Sequence, residues 1–249
     1  MKRTLIALSS LFLFTQPVGH SFAQATDMSS PEHNAFFQKL ASEHKISRAD
    51  AMAILEQAQV SEEVLEAIAK PWEAKPWFEY YPIFLTERRL EQGLNFWREH
   101  QTTLERAERE YGVPAQIIVA IIGVETFYGG YLGRHKVLDS LYTLAFHYPP
   151  RETFFRSELG HFLALVKEEK LPATELLGSY AGAMGFGQFI SSSYRAYAVD
   201  FDGDGQRDLI SNPVDAIGSV ANYFAKHKWQ AAQPIATPAW VSQGANVDA

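Results

Sequence analysis

Glu125 closes an almost unbroken apolar run, residues 117–124 (IIVAIIGV), and Thr126-Phe127-Tyr128-Gly129-Gly130 follows it. A helix apolar on every side belongs in a core. A carboxylate at the end of such a helix is costly unless a site requires it. Burial disfavours the charged form and raises the pKa above its ordinary value of about 4.3. A carboxyl group that keeps its proton near neutral pH can protonate a leaving oxygen, the task of the acid in glycoside cleavage. The residues by themselves equally allow a plainer reading, a core Glu satisfied by an Arg or by backbone donors.

Two further stretches carry chemical potential. Residues 178–189 (GSYAGAMGFGQF) hold glycines at 178, 182, 185 and 187. Glycine lets backbone approach a ligand closely and turn N–H groups towards it. The phosphate-loop pattern G-x-x-x-x-G-K-[ST] is absent. Gln188 in this loop offers a donor and an acceptor to a sugar amide or hydroxyl, although a tight turn between helices explains the glycines as well.

Asp200-Phe201-Asp202-Gly203-Asp204-Gly205-Gln206 reproduces the front of a calcium loop. Carboxylates stand at positions 1, 3 and 5, glycine at 6, and position 7 can offer its carbonyl. Position 12 is Ser211 rather than a bidentate Glu. Asp208 or Asp215 could supply the missing charge. Oxygen ligands alone favour Ca2+ over Zn2+; the competing reading is a solvated acidic turn.

These residues sit in a chain that reads as exported. Lys2 and Arg3 precede an apolar run from Thr4 to Thr15, and Ser21-Phe22-Ala23 places small residues at the positions that a signal peptidase inspects. Residues 1–23 are expected to be a cleaved signal peptide, with Gln24 as the mature start and an uncleaved anchor as the alternative. The chain has no cysteine, which excludes disulfides, thiolate metal sites and lipid attachment to a Cys. A periplasmic protein without a lipid anchor is the resulting expectation. The signal segment carries two Lys/Arg and no acid, so its loss takes the net charge from −7 to −9. That sign argues against nucleic acid, whose binding relies on Lys and Arg at phosphates. A composition 47% hydrophobic and 13% aromatic is that of a globular protein.

Helix signals dominate. Ser30-Pro31-Glu32 opens one helix, and residues 47–58 and 61–69 each start with Ser and an acidic first turn. These make a small helical N-terminal portion, 24–76. Residues 71–85 (PWEAKPWFEYYPIFL) read as an extended aromatic connector, either packing between lobes or forming a sugar-stacking surface. One long helix is expected from Thr86 to Tyr111, with Leu90, Leu94, Trp97, Gln101, Leu104 and Tyr111 on one face. Gly112 stops it and Pro114 starts the next. Later helices are expected at 139–147, 155–169, 191–198 and 213–227, and a loosely held tail at 230–249.

Taken together, GVETFYG (123–129), GSYAGAMGFGQF (178–189), SSYRAYAVDFDGDG (192–205) and NPVDAIGSVANYF (212–224) resemble the lytic murein transglycosylase B family. The likeness runs in order from about Trp77 to Trp229. It implies a mainly α, lysozyme-like core over 77–229 acting on peptidoglycan glycan strands. The implied reaction cleaves the bond between N-acetylmuramic acid and N-acetylglucosamine without water, and a single glutamate, here Glu125, acts first as acid and then as base. Asp139, the nearest downstream acid, reads instead as the N-cap of a helix over 140–147. The resemblance further implies Ser179, Gln188, Tyr223, Arg151 and Tyr80 as cleft residues, with Ser179 bonded to the carboxyl of Glu125. It implies a single structural Ca2+ at Asp200, Asp202, Asp204, the Gln206 carbonyl and Asp215. A monomer that works beside cell-wall synthesis enzymes completes the picture.

The sequence departs from that family in places. Members continue past the position of Trp229 with further cleft residues, including a Tyr-Asn pair. Ser191 stands where many have Pro, and Pro150 where some have a second Arg. A peptidoglycan-binding protein that does not cut, or a hydrolytic muramidase, therefore stays open at this stage.

Overall fold

The computed structural model describes residues 28–71 and 74–237. The expected signal segment and the last twelve residues of the tail lie outside them. Three short helices open the described chain, each started by a serine. Helix α1 (Pro31–Lys39) has Ser30 accepting from the His33 N–H and proline at its first position. It runs on as a π turn, Leu40–His44, that ends at left-handed Lys45. Helices α2 (Arg48–Leu55) and α3 (Glu62–Ala69) are capped by Ser47 and Ser61 in the same way. A side-chain oxygen satisfies an N–H that the first turn leaves bare.

The aromatic connector is not extended. It forms two tight turns, α4 (Trp77–Tyr80) and a 3-10 turn over Tyr81–Ile83. Pro76 precedes the first helical residue and Pro82 sits in the first turn of the second, positions where a missing N–H costs nothing. Trp77 and Phe78 remain 72% and 70% exposed.

The long helix expected from Thr86 to Tyr111 is two helices, α5 (Glu87–Glu99) and α6 (Gln101–Tyr111), broken at His100. The break re-aims the apolar series. In α6, Leu104 and Ala107 are buried; in α5 the buried positions are Gly93 and Phe96, while Leu90 and Leu94 face solvent. Gly112, at φ 70°, ends α6 as expected.

Helix α7 (Ala115–Thr126) follows, then a two-residue strand β1 (His135–Lys136), α8 (Val137–His147) and α9 (Glu152–Glu169). Strand β2 (Leu177–Gly178) pairs antiparallel with β1, His135 opposite Gly178. Helices α10 (Ser191–Tyr197) and α11 (Pro213–Lys226) complete the described elements. The centre is α8, where Val137, Leu138 and every residue from Ser140 to Ala145 are buried.

The N-terminal helices share this core. Phe36, Leu40 and Leu55 belong to the same buried cluster as Leu141, Phe162 and Val220. Buried Tyr142 is 2.9 Å from His33 Nε2, and the Ser61 N–H donates to Thr143 Oγ1 at 3.0 Å. Asp139 does not cap α8, which starts earlier, at Val137. Its carboxylate instead accepts the Gln59 N–H at 2.9 Å, another tie between the N-terminal portion and α8.

Candidate active site

Helix α7 carries Glu125 in its last turn. Ile118, Val119, Ile122 and Gly123 are buried, whereas Val124 is 45% exposed and Glu125 is exposed too. The expectation of a buried carboxyl is therefore corrected: one side of α7 packs in the core and the other forms a wall open to solvent. The physical reason lies in the helix end. The last turn carries the negative end of the helix dipole, which disfavours burying a carboxylate there. Phe127 and Tyr128 then both turn left-handed, at φ 52° and 61°. Their N–H groups return to the carbonyls of Gly123 and Ile122, at 3.1 and 3.2 Å, and close the helix.

Two cavities meet at Glu125. One, of about 340 Å³, has mostly apolar walls from Ile121, Phe189, Val220, Tyr223 and Phe224, with Ser193 beside them. The other, of about 570 Å³, is lined by Lys70, Tyr131, Arg134, His135, Ser179 and Tyr180 among others. Glu125 and Gln188 line both, and among the described residues Glu125 is the only carboxylate lining either. The two halves thus form one cleft with a single acid at the junction. Burial also holds the His135 imidazole below its ordinary pKa, which favours the neutral ring.

The glycine-rich loop forms the facing wall. The N–H of Met184 donates to the Phe189 carbonyl and the Phe189 N–H returns to Met184, at 3.0 and 2.9 Å. Gly185 turns at φ 73° against the Leu209 carbonyl, and a side chain there would collide with that oxygen. Gln188, itself left-handed at φ 47°, spends its amide Nε2 on the carbonyls of Gly185 and Leu132. That geometry leaves the amide oxygen for a ligand. Ser179 Oγ accepts from the N–H groups of Ala181 and Ala183, at 3.2 and 3.1 Å. Its lone pairs hold the loop and its hydroxyl proton remains to be given.

Thr126, buried beside Glu125, locks this loop to α7. Its Oγ1 lies 2.9 Å from the Phe186 carbonyl and accepts the Gly129 N–H at 3.0 Å.

Of the cleft residues expected from sequence, Glu125, Ser179, Gln188 and Tyr223 come together. Two do not. Arg151 is exposed, lies over the Phe154 ring at 4.3 Å and lines neither cavity. Tyr80 packs within its own segment, edge-on to Phe84 at 5.1 Å. Sequence reasoning missed Lys70, Tyr131, Arg134 and Ser193. Only Tyr131 carried a signal, as an aromatic directly after the Gly129-Gly130 turn. Lys70 reaches the cleft through tertiary packing of α3.

The acidic loop gathers Asp200, Asp202 and Asp204, one oxygen of each lying within 4.8 Å of the others. All three are exposed. Asp200 accepts from the N–H groups of Gly203, Asp204 and Gly205, and these bonds hold its carboxyl below the usual range. Gly203 and Gly205 turn left-handed at φ 83° and 92°. Three hard oxygen donors converging in a glycine-kinked loop fit Ca2+.

The structure corrects the placement of Asp215 beside them. Its carboxylate is buried and accepts the N–H of Phe201 at 2.6 Å and of Asp208 at 2.8 Å, so it staples the loop to α11 from behind. Asp208 does not make up the charge either, since it accepts from Ile210 and Ser211.

Residues 29–249 match the model of the transglycosylase SLT domain. The chain belongs to this family. Membrane-bound lytic murein transglycosylase B of Escherichia coli (strain K12) is 42% identical over 220 residues, 84% of this chain and 61% of the relative. The chain therefore spans about three fifths of the length of that curated relative. Among solved structures, catenated SltB1 from Pseudomonas aeruginosa superposes with a TM-score of 0.78 at 48% identity, over 82% of this chain and 68% of that one. Escherichia coli Slt35 in complex with calcium gives 0.77 at 40% identity, over 89% and 71%. SltB3 from Pseudomonas aeruginosa, solved with NAG-NAM-pentapeptide, gives 0.74 at 36% identity, over 81% and 54%. The mainly α, lysozyme-like architecture is thus shared across this family.

Proposed function

We propose that this protein is a peptidoglycan lytic transglycosylase that cleaves the bond between N-acetylmuramic acid and N-acetylglucosamine and leaves 1,6-anhydro ends. One observation carries the reading: a single carboxylate stands where two cavities meet. Hydrolytic glycosidases pair two carboxyl groups across the scissile bond, one of them to activate water or form a covalent intermediate. Among the described residues this cleft offers one, which suits a reaction in which the same group serves both steps.

Glu125 gives its proton to the glycosidic oxygen, and the C1–O bond breaks as the N-acetylglucosamine hydroxyl departs. The carboxylate then takes the proton of the muramoyl C6 hydroxyl while O6 closes on C1. Glu125 ends protonated and no water is consumed. A glycan strand filling both halves covers Glu125, and the lost water favours its protonated form. Exposure in the empty cleft is therefore compatible with an acid role. The apolar wall around Tyr223 suits sugar faces, and the Ser179 hydroxyl and the Gln188 amide oxygen suit the substrate's polar groups. The SltB3 complex with NAG-NAM-pentapeptide supports this substrate class.

We also propose one structural Ca2+ on Asp200, Asp202, Asp204 and the Gln206 carbonyl, which the calcium complex of Slt35 supports. The ion offsets the mutual repulsion of the loop carboxylates. Export to the periplasm completes the proposal; among the described residues no helix is long and apolar enough to cross a membrane.

Digestion of purified sacculi with mass spectrometry tests the main reading. Release of 1,6-anhydro products is the expected result. Products with reducing ends point to a muramidase, and retention of the protein on sacculi without release points to a binding protein.

A further inference from the structure

We infer that Arg89 and Tyr128 are positioning residues that fix the end of α7, and with it the carboxyl of Glu125, through a slot between Gly93 and Gly123. This rests on the reading of Glu125 as the reacting acid, and it adds a device that the cleft lining does not contain.

Tyr128 follows Glu125 by three residues. Its left-handed backbone turns the ring back between α5 and α7. A Cβ on Gly123 of α7 would lie 2.6 Å from Tyr128 Cζ, and one on Gly93 of α5 would lie 2.6 Å from the phenol oxygen. Both glycines are buried. The ring thus occupies space that two opposed side chains would otherwise need, and each glycine is required by close approach.

The contact is reciprocal. The Tyr128 hydroxyl donates to the Arg89 carbonyl at 3.1 Å. The guanidinium of the same Arg89 donates back to the Gly123 carbonyl. That carbonyl also accepts the Phe127 N–H at 3.1 Å. One oxygen of the last turn is therefore held from within α7 and from α5 at once. A cation at a helix C-terminus is electrostatically favourable. The guanidinium also lies 5.0 Å from the Phe127 ring centroid and 5.1 Å from that of Phe84, so it is fixed on its apolar sides as well.

Glu125 stands between the two clamped points, Gly123 before it and Tyr128 after it. A displacement of about 1 Å at a reacting group costs on the order of 100-fold in rate. Arg89, Gly93 and Tyr128 line neither cavity. Loosening the slot should therefore move kcat and leave KM, the opposite of losing a cleft contact.

The test measures sacculus turnover by the full chain and its variants. Tyr128→Phe lowers kcat about tenfold and Arg89→Gln about 100-fold, with KM within about twofold. Arg89→Lys restores part of the loss. Gly93→Ala also lowers kcat, but less so in the Tyr128→Phe background, where the nearest obstructing atom is gone; this non-additivity marks a shared slot. Leu55→Ala, in the remote core of α2, serves as the stability control and keeps kcat while lowering Tm. A loss of kcat that merely tracks Tm as in that control, a change confined to KM, or wild-type kcat in both Arg89→Gln and Tyr128→Phe overturns the proposal.

A second readout separates this from the functional reading. The 13C resonance of the Glu125 carboxyl shifts in Tyr128→Phe and Arg89→Gln and stays put in Leu55→Ala. If wild type releases nothing from sacculi, the functional reading fails while the resonance still judges the slot. An unmoved resonance in both variants overturns it.

Discussion

Glu125 and Asp215 sit at opposite kinds of helix end, and the structure treats them oppositely. Glu125 lies in the last turn of α7, at the negative end of the helix dipole, and it is exposed to the cleft. Asp215 lies in the first turn of α11, and it is fully buried. Asn212 caps that helix, the dipole favours an anion there, and two backbone N–H groups of the acidic loop reach the carboxylate. The surrounding sequence suggests the reverse, since Glu125 follows an apolar run and Asp215 adjoins a metal-like loop. Burial of a charge follows the supply of donors, not the hydropathy of its neighbours. The exposed carboxylate faces the cleft and the buried, donor-rich one holds structure.

The sharpest way to break this comparison is to neutralise each group in turn. Glu125→Gln should abolish release of anhydro products, with a loss of at least about 10³-fold in kcat for removal of the proton donor and acceptor. Its Tm should stay near wild type because the side chain is exposed. Calorimetry and sacculus digestion check both halves, and wild-type turnover in this variant removes Glu125 from its role. Asp215→Ala should do the converse. It orphans two N–H groups, each costing about 1–3 kcal/mol when left unsatisfied. Denaturant unfolding should show a large loss of stability, and a value within about 0.5 kcal/mol of wild type, the scale of ordinary surface changes, refutes the staple.

The acidic loop supplies the next step down in effect. Its far end is tied to the cleft, because the Phe186 N–H donates to the Leu209 carbonyl at 2.9 Å and the Phe186 carbonyl meets Thr126. Ca2+ at 100 times its Kd should add about 2.7 kcal/mol of stability by mass action. Titration of Tm against free Ca2+, with EDTA as the reference, checks this. Asp204→Asn should shift the titration to higher Ca2+, whereas a Tm indifferent to Ca2+ leaves the loop a solvated turn.

How much of this was readable beforehand depends on range. Local signals held: Ser30, Ser47 and Ser61 cap the helices they announce, and Gly112 with Pro114 separates α6 from α7. The family motifs named Glu125, Ser179, Gln188 and Tyr223, which the fold gathers at one cleft. Periodicity failed at His100, because a spacing of three and four residues does not reveal a break that rotates one half against the other. Lys70 and Arg134 reach the cleft through packing of α3 and the long-range pairing of β1 with β2, which no local pattern encodes. Arg151 and Tyr80, carried over by resemblance, line neither cavity.

A third charged cluster sharpens the comparison with the smallest expected effect. Arg195 of α10 is held by Glu168 through two of its nitrogens, and its Nη1 reaches Nδ1 of His161 at 2.8 Å and of His44 at 3.3 Å. Here the donor is abundant and the histidines must accept, which requires neutral rings. Burial, the neighbouring histidine and Arg195 lower the His44 pKa, and burial leads for His161 as well, with Arg195 adding to it. Glu43, Glu158 and Glu168 face the pair and oppose the shift without reversing it. In the unfolded chain both rings titrate near the ordinary value of about 6.5. The folded state resists protonation below that point, so the unfolded state binds more protons there and stability falls as the pH drops. Above about 6.5 the contribution is constant. His161→Gln keeps an acceptor but cannot protonate, so its Tm should decline less than wild type between about pH 6.5 and 5. Parallel Tm curves for the two proteins over that window would show that the pair tolerates protonation, and that donor supply does not govern this third site as it governs the other two.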